Sequence, residues 1–288
     1  CNRQRIRGPP VRTVQRSERL MRRILYLEHN TDGTVGGSHL CLLEICRHLD
    51  RSRYQPVVCF FERNSLWDAF AETGAELMLE PPPLSWRAPG AWPKWLGRPL
   101  AVGINIYRTL VQRTAHWRDV LRDARIDLVH INNACGFDHD LMLACRLSRI
   151  PCVVHERGIQ RSIGARTRFF ANRVDRLIAI SDAVADNLRR YGVRNEVILR
   201  INDGINPERI IERESVDSVR GRFGIAPDRP VIGIVGNIKP WKGQYVVMEA
   251  LGRLLPRFPG LHCLFVGSIA DPEYAQRMRQ RAAETGIP

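Results

Sequence analysis

Lysine is almost missing. Of 44 basic residues only Lys94, Lys239 and Lys242 are lysines, and the rest are arginines. A bias of that kind reflects genome composition more often than function. No two of the eight cysteines form a C-x-x-C pair, and most sit in apolar runs. They read as the reduced, buried thiols of a cytosolic protein. No stretch of about 18 uncharged apolar residues occurs, so the sequence offers no helix to span a membrane. No segment near the N-terminus has the make-up of a signal-peptide core. Metal-ligand spacing such as H-E-x-x-H is missing, and so is the G-x-G-x-x-G dinucleotide fingerprint. With 288 residues, 44% hydrophobic and 26% charged, the chain is not a disordered polymer, a collagen or a disulfide miniprotein. Its length suits one large domain or two.

The net charge of +14 is local. Residues 1–23 hold eight arginines against one glutamate, and residues 81–125 hold eight basic residues against Asp119 and Asp123. Residues 1–20 lack apolar periodicity and read as a basic, disordered extension. The alternative for them is an arm that binds phosphates.

From Met21 onward, short apolar runs alternate with helical patterns. The expected strands are Ile24–Glu28, Pro56–Phe61, Glu76–Leu79, Asp127–Ile131, Cys152–His155, Leu177–Ile180 and Val197–Ile201. Helical spacing covers 40–49, 66–73, 101–123, 141–149 and 182–191. Nearly continuous β-branched strands alternating with helices predict a parallel sheet covered on both faces. The pattern breaks over 202–215 and restarts with helix 216–223, strand 231–235, helix 244–255, strand 261–266 and helix 273–285. The reading is α/β, with two Rossmann-like domains over 21–206 and 207–288, the second incomplete.

Between Pro81 and Leu100 the rhythm stops. Trp86, Trp92 and Trp95 are interleaved with Arg87, Lys94 and Arg98, and proline and glycine are expected to keep the stretch irregular or only briefly helical. Tryptophan with cationic side chains suits an anionic bilayer surface. A loop folded back on its own domain is the alternative.

Three segments could carry chemistry. After the first strand, Gly36 and Gly37 give a ligand room to approach the backbone, and Ser38 is placed to cap the following helix. The strand CVVHE delivers His155 to the C-terminal edge of a sheet, where ligands of open parallel sheets bind. There it could hydrogen-bond a sugar hydroxyl, move a proton or serve the fold alone. The arginine run from Arg157 through Arg161, Arg166, Arg168, Arg173 and Arg176 could gather phosphates or form a solvated face. The segment GNIKPWKG runs from Gly236 through Asn237, Lys239 and Lys242 to Gly243 and a helix start. It holds two of the three lysines, and an ammonium acts as a point charge toward a diphosphate. Asp138-His139-Asp140 has the D-x-D form of some metal-holding sugar transferases, but its position before a helix suggests capping instead.

These pieces in this order resemble a retaining glycosyltransferase of family 4, with the two-Rossmann GT-B fold. The matching residues are Gly36-Gly37, His155, AISDAVADNL at 179–188, INDGIN at 201–206 and GNIKPWKG at 236–243. The resemblance implies metal-independent transfer of a sugar from a nucleotide-sugar to a glycan or lipid-linked acceptor, with no cofactor and no nucleic acid. The first domain would take the acceptor and the second the donor. Lys242 would contact the donor diphosphate with Gly236, Asn237, Lys239 and Gly243 around it, the Gly36-Gly37 loop would approach the phosphates, and His155 would act on the transferred sugar. The reduced thiols and the tryptophan-basic stretch give the expected place: cytoplasmic, peripheral at the inner face of the membrane. The family's usual arginine in the lysine loop is Asn237 here. Its paired glutamates have no counterpart before Pro288, so the chain is expected to be a truncated piece, inactive by itself. Two readings from other classes remain: a non-catalytic basic module for membrane or nucleic acid, and a nicotinamide-dependent sugar-nucleotide enzyme.

Overall fold

The computed structural model describes residues 21–82, 94–209 and 211–284. The basic extension 1–20 lies outside the described residues, and so do Trp86, Arg87 and Trp92. The chain forms two compact units. Among the described residues, one comprises 21–33 and those within 38–203, and the other Thr34–Gly37 with those within 204–284.

The first unit is built on seven parallel strands: β1 (Arg22–Glu28), β2 (Tyr54–Phe60), β3 (Glu76–Leu79), β4 (Leu128–Ile131), β5 (Cys152–Glu156), β6 (Arg176–Ala179) and β7 (Ile198–Arg200). Their order across the sheet is β3-β2-β1-β4-β5-β6-β7. Every pairing is parallel. Alternation along β1 shows why both faces are covered. Leu25 and Leu27 enter one core with Val57, Val129, Ile131, Trp117 and Leu121. Ile24 and Tyr26 enter a second core with Leu42, Leu43, Phe60 and Phe70 on the other face. Burying each such side chain contributes about 1.5–3 kcal/mol. The helices that supply these layers include α1 (Gly37–His48), α2 (Trp67–Glu72), α5 (His139–Ser148) and α7 (Asp182–Arg190). Strand order reverses between β1 and β4, which opens a crevice at their C-terminal ends.

All seven expected strands are present. The helix expected over 101–123 begins earlier, because the chain is helical from Lys94. It runs as α3 (Lys94–Tyr107), a π-helical segment Arg108–Arg113 and α4 (Thr114–Asp123). Lys94, Trp95 and Arg98 therefore lie on a helix, the second of the two forms expected of that stretch. Pro99 sits inside α3. It forgoes one backbone hydrogen bond, a local loss in a helix that continues for two further turns. A short helix that the sequence pattern missed, α6 (Ala165–Ala171), lies in the arginine run.

The second unit has two parallel strands, β8 (Val231–Val235) and β9 (His262–Val266). Its helices are α8 (Val216–Arg222), α9 (Gln244–Leu254) and α10 (Pro272–Glu284). Met248 of α9 packs with Tyr274 and Met278 of α10 in a small core. The seven cysteines of the described residues are free thiols, five of them buried. No helix among the described residues is long and apolar enough to cross a membrane.

Candidate functional site

In the first unit, polar residues end the apolar strands at the crevice. Glu28 closes β1 and is 1% exposed. Its carboxylate accepts from Ser38 Oγ at 2.7 Å, from Asn133 Nδ2 at 2.7 Å and from Asn132 Nδ2. A buried carboxylate is tolerated only when donors surround it, and three do. Ser38 thus does not cap α1 as expected: it lies inside the helix, with its hydroxyl committed to Glu28.

His155 lies in β5 beside these groups and is 4% exposed. Its Nδ1 faces Arg157 Nη2 at 3.2 Å. Its Nε2 is buried and makes no hydrogen bond among the described residues, where Asp203 Oδ1 stands 3.7 Å away. The ring of His130 in β4 packs 5.5 Å from that of His155. Burial first, and then the charge of Arg157, push His155 down to about 3. Burial does the same to His130, helped by His155 and Arg157. Both imidazoles are therefore neutral at physiological pH.

Arg157 is tied from three sides. Its Nε donates to the Asn132 carbonyl at 2.9 Å, Nη2 to Asn132 Oδ1 at 2.9 Å, and Nη1 to Asp203 Oδ1 at 2.5 Å. The next residue after His155, Glu156, is buried and turns elsewhere. It accepts from the Cys135 amide at 3.0 Å and from Gln160 Nε2 at 2.9 Å, and burial raises its pKa. The arginine run does not converge. Arg173 covers the Phe169 ring at 3.5 Å, and Arg176 donates to the Asp175 carbonyl.

A second polar corner lies nearby. Asp138 Oδ1 is 2.9 Å from His29 Nδ1, and the His29 ring stacks on Phe137 at 4.5 Å. Burial alone would lower the pKa of His29, but the hydrogen bond and charge of Asp138 outweigh it, and the net shift is upward. Asp140 accepts from Arg113 Nε at 2.7 Å and from Trp117 Nε1 at 3.2 Å. The expectation that this D-x-D segment caps a helix is corrected. Asp138 stands at the N-cap position in the left-handed region, with its carboxylate on His29 and not on the helix amides.

The lysine loop belongs to the second unit. Gly236 follows β8 at φ 152°, and its amide donates to the Val266 carbonyl at 2.8 Å. Pro240–Lys242 forms a 3-10 turn, and Gly243, at φ 77°, passes the chain into α9. Gln244 Nε2 donates to the Asn237 carbonyl at 2.9 Å and braces the loop from inside. Asn237 Nδ2 donates to the Val35 carbonyl, also of this unit, at 3.1 Å. Lys239 Nζ sits 5.1 Å over the Trp241 ring. Lys242 is exposed, and no carboxylate pairs with it among the described residues. The first turn of α9 is not fully open to an anion, because the Tyr245 amide already donates to the Tyr274 hydroxyl at 3.0 Å.

Glycines define where something can approach. A Cβ on Gly36 or Gly37 would meet nothing within 4 Å, so the fold's packing does not require glycine at either position. Gly267 is the opposite case, and the sequence reading overlooked it. At φ 155°, its Cβ would lie 2.2 Å from the Gly236 carbonyl oxygen. Gly236 and Gly267 thus hold two backbones together at the strand ends that carry the lysine loop.

Two parallel α/β units of this kind are the GT-B class of glycosyltransferase fold. Among solved structures, Anabaena HepE in complex with UDP and glucose superimposes with a TM-score of 0.68 at 20% identity, covering 92% of this chain and 66% of that one. The same Anabaena protein in complex with UDP-glucose gives 0.68 at 21%, with the same coverage. The family model of Glycosyltransferase Family 4 matches residues 35–209, and the chain belongs to that family. A D-inositol 3-phosphate glycosyltransferase of Streptomyces bingchenggensis is 31% identical over 123 residues, 39% of this chain and 26% of that protein. A trehalose synthase of Pyrococcus horikoshii is 33% identical over 86 residues, 28% of this chain and 20% of that protein. The matched stretches thus span about a quarter or less of these curated relatives' lengths.

Proposed function

We propose that this glycosyltransferase takes its sugar from a nucleoside-diphosphate sugar, with the diphosphate on the Gly236–Gly243 loop. The observation that carries this reading is Lys242: an ammonium with no carboxylate partner among the described residues, in a glycine-bounded turn between strand and helix. The bond between anomeric carbon and diphosphate oxygen breaks, and a bond from an acceptor hydroxyl oxygen to that carbon replaces it. The hydroxyl proton leaves with the departing diphosphate. Negative charge grows on the diphosphate in the transition state, where a fixed cation stabilises it most. In this reading no metal or further cofactor takes part, and the anomeric configuration is retained.

Uridine is the base favoured by the UDP and UDP-glucose held in the Anabaena neighbour. The acceptor is a glycan, a lipid-linked saccharide or a phosphorylated cyclitol, the last suggested by the relatives' names. Calorimetric titration of the chain with UDP, GDP and ADP tests the donor reading. Saturable binding with UDP preferred is expected, and heats indistinguishable from dilution for all three would contradict it. Proton NMR of the anomeric signal in a transfer product decides retention.

The reading places the protein in the cytoplasm, at the inner face of the membrane. Trp86, Trp92 and Trp95 with Arg87, Lys94 and Arg98 would meet anionic headgroups there. Flotation with vesicles containing anionic lipid is expected to carry the chain upward at low salt and less at high salt. Equal flotation of a variant with all three tryptophans changed to alanine would remove the membrane role.

A further inference from the structure

Helix α4 is seated on the first unit, and α3 is not. Thr114, Trp117 and Leu121 of α4 are buried. Where the two helices join, Arg113 fastens the chain: Nε donates to Asp140 at 2.7 Å and Nη1 to the Pro81 carbonyl at 3.0 Å. On the α3 side of that anchor, none of residues 99–107 is buried. Leu100, Val102, Ile106, Tyr107 and, in the π-helical segment, Val111 are 40–58% exposed. With an internal proline and two glycines in 14 residues, α3 gains little from helix propensity. Most helical stability in proteins comes from packing an apolar face, and among the described residues this face stays open. Contiguous exposed apolar surface marks a contact with a partner or a membrane.

The surrounding charge selects the partner. No Asp or Glu occurs from 81 to 118. Arg108 and Arg118 are exposed, and neither pairs with a carboxylate among the described residues. At the helical repeat, sequence spacing puts Lys94, Arg98, Asn105 and Arg108 on one side and leaves the rest of the circumference to apolar residues and glycine. A second copy of this face would set arginine against arginine, and like charges oppose that pairing. A soluble polyanion would engage the arginines and leave the apolar side chains in water. A bilayer with anionic headgroups takes both. At 1.5 Å per residue the 14 residues of α3 reach about 21 Å. That falls short of a hydrocarbon core of about 30 Å, so the helix lies along the surface and does not span. We infer that α3 beds its apolar side in the interface of an anionic bilayer, with Arg108 and Arg118 at the headgroups. The inference rests on the bilayer placement given under Proposed function and adds to it residues which that placement does not use.

The test is binding of the whole chain to vesicles of phosphatidylcholine with phosphatidylglycerol, and of phosphatidylcholine alone, across a salt series. The parent should bind the anionic vesicles most tightly at low salt and keep a weaker, salt-resistant part, because apolar insertion is not screened. In the variant combining Val102→Gln, Ile106→Gln and Val111→Gln, vesicle affinity should fall about tenfold or more at every salt concentration. Glutamine is a good helix former and these positions are exposed, so the melting temperature should match the parent's. Arg108→Gln with Arg118→Gln should lose affinity at low salt only. The backbone amides of Lys94–Tyr107 should exchange hydrogen more slowly on anionic vesicles in the parent, and not in the triple glutamine variant. Parent-like binding and exchange in that folded variant would overturn the inference, and loss of flotation in the tryptophan variant would then show that the bilayer placement itself stands. Should the triple variant not fold, Ile106→Gln alone decides: a smaller loss is expected, and parent-like affinity would overturn the inference. A parent that binds neither vesicle would overturn both readings. A lipid-free dimer of the parent that the glutamine changes turn into a monomer would give this face to a second copy and overturn the lipid assignment.

Discussion

Replacing Lys242 by alanine should weaken UDP binding roughly 10- to 150-fold. A charge-assisted hydrogen bond contributes about 1.5–3 kcal/mol, and about 1.4 kcal/mol is a factor of ten. The fold should not notice the change, because Lys242 is exposed and its ammonium holds no carboxylate among the described residues. Lys239→Ala should cost less. Its ammonium already sits over the Trp241 ring, which keeps it beside the turn but gives it an alternative to the phosphates. Calorimetric titration of the two variants with UDP measures both effects. Unchanged affinity in Lys242→Ala would return the loop to an ordinary surface turn.

Gly267→Ala should act through the backbone. The new Cβ would press on the Gly236 carbonyl oxygen and carbon at 2.2 and 2.5 Å, at a φ that side-chain-bearing residues rarely adopt. Strain of about 1–3 kcal/mol and overpacking of about 1–3 kcal/mol together give a loss of roughly 2–6 kcal/mol. Against total stabilities of about 5–15 kcal/mol, that can unfold the second unit. A separate, earlier unfolding transition is expected by calorimetric scanning. Gly37→Ala is the contrast, because nothing stands within 4 Å of its Cβ, and its melting temperature should match the parent's. A Gly267→Ala protein as stable as the parent would show that the Gly236–Gly267 approach is not a constraint.

The sheet of the first unit was legible because its strands are short apolar runs closed by polar residues, as LYLEHN and VVHERG are. What failed was local in cause. Helix α6 escaped because Ala165–Ala171 spans only seven residues and the arginines before Phe169 and Phe170 blur its apolar face. The start of α3, residues 94–100, was not set as a helix because tryptophan, proline and glycine together obscured its pattern, whereas the part from 101 onward was expected.

The site was legible only in part. His155 stood out as a polar residue at the end of an apolar strand, whereas Arg157 looked like one member of an arginine run. Its distinction is the contact with Asn132 and Asp203, the latter 46 positions away. Glu28 and Asn132 are 104 positions apart, and no spacing rule pairs residues across that distance. Ser38 and Asp138 were read by their positions at helix starts. Each instead serves a distant partner, Glu28 and His29 respectively. Gly267 has only a weak sequence signal, a glycine just after an apolar strand, and its meaning lies in the second backbone that approaches it.

The most direct test of the central claim, that the Gly236–Gly243 loop holds the donor diphosphate, is a titration of the nitrogen-15-labelled chain with UDP, read at each backbone amide. The account predicts saturable shifts concentrated at Gly236, Asn237, Ile238, Lys239, Lys242 and Gly243, lost in Lys242→Ala. Saturable binding whose shifts leave these amides unmoved, or no binding at millimolar UDP, would contradict it.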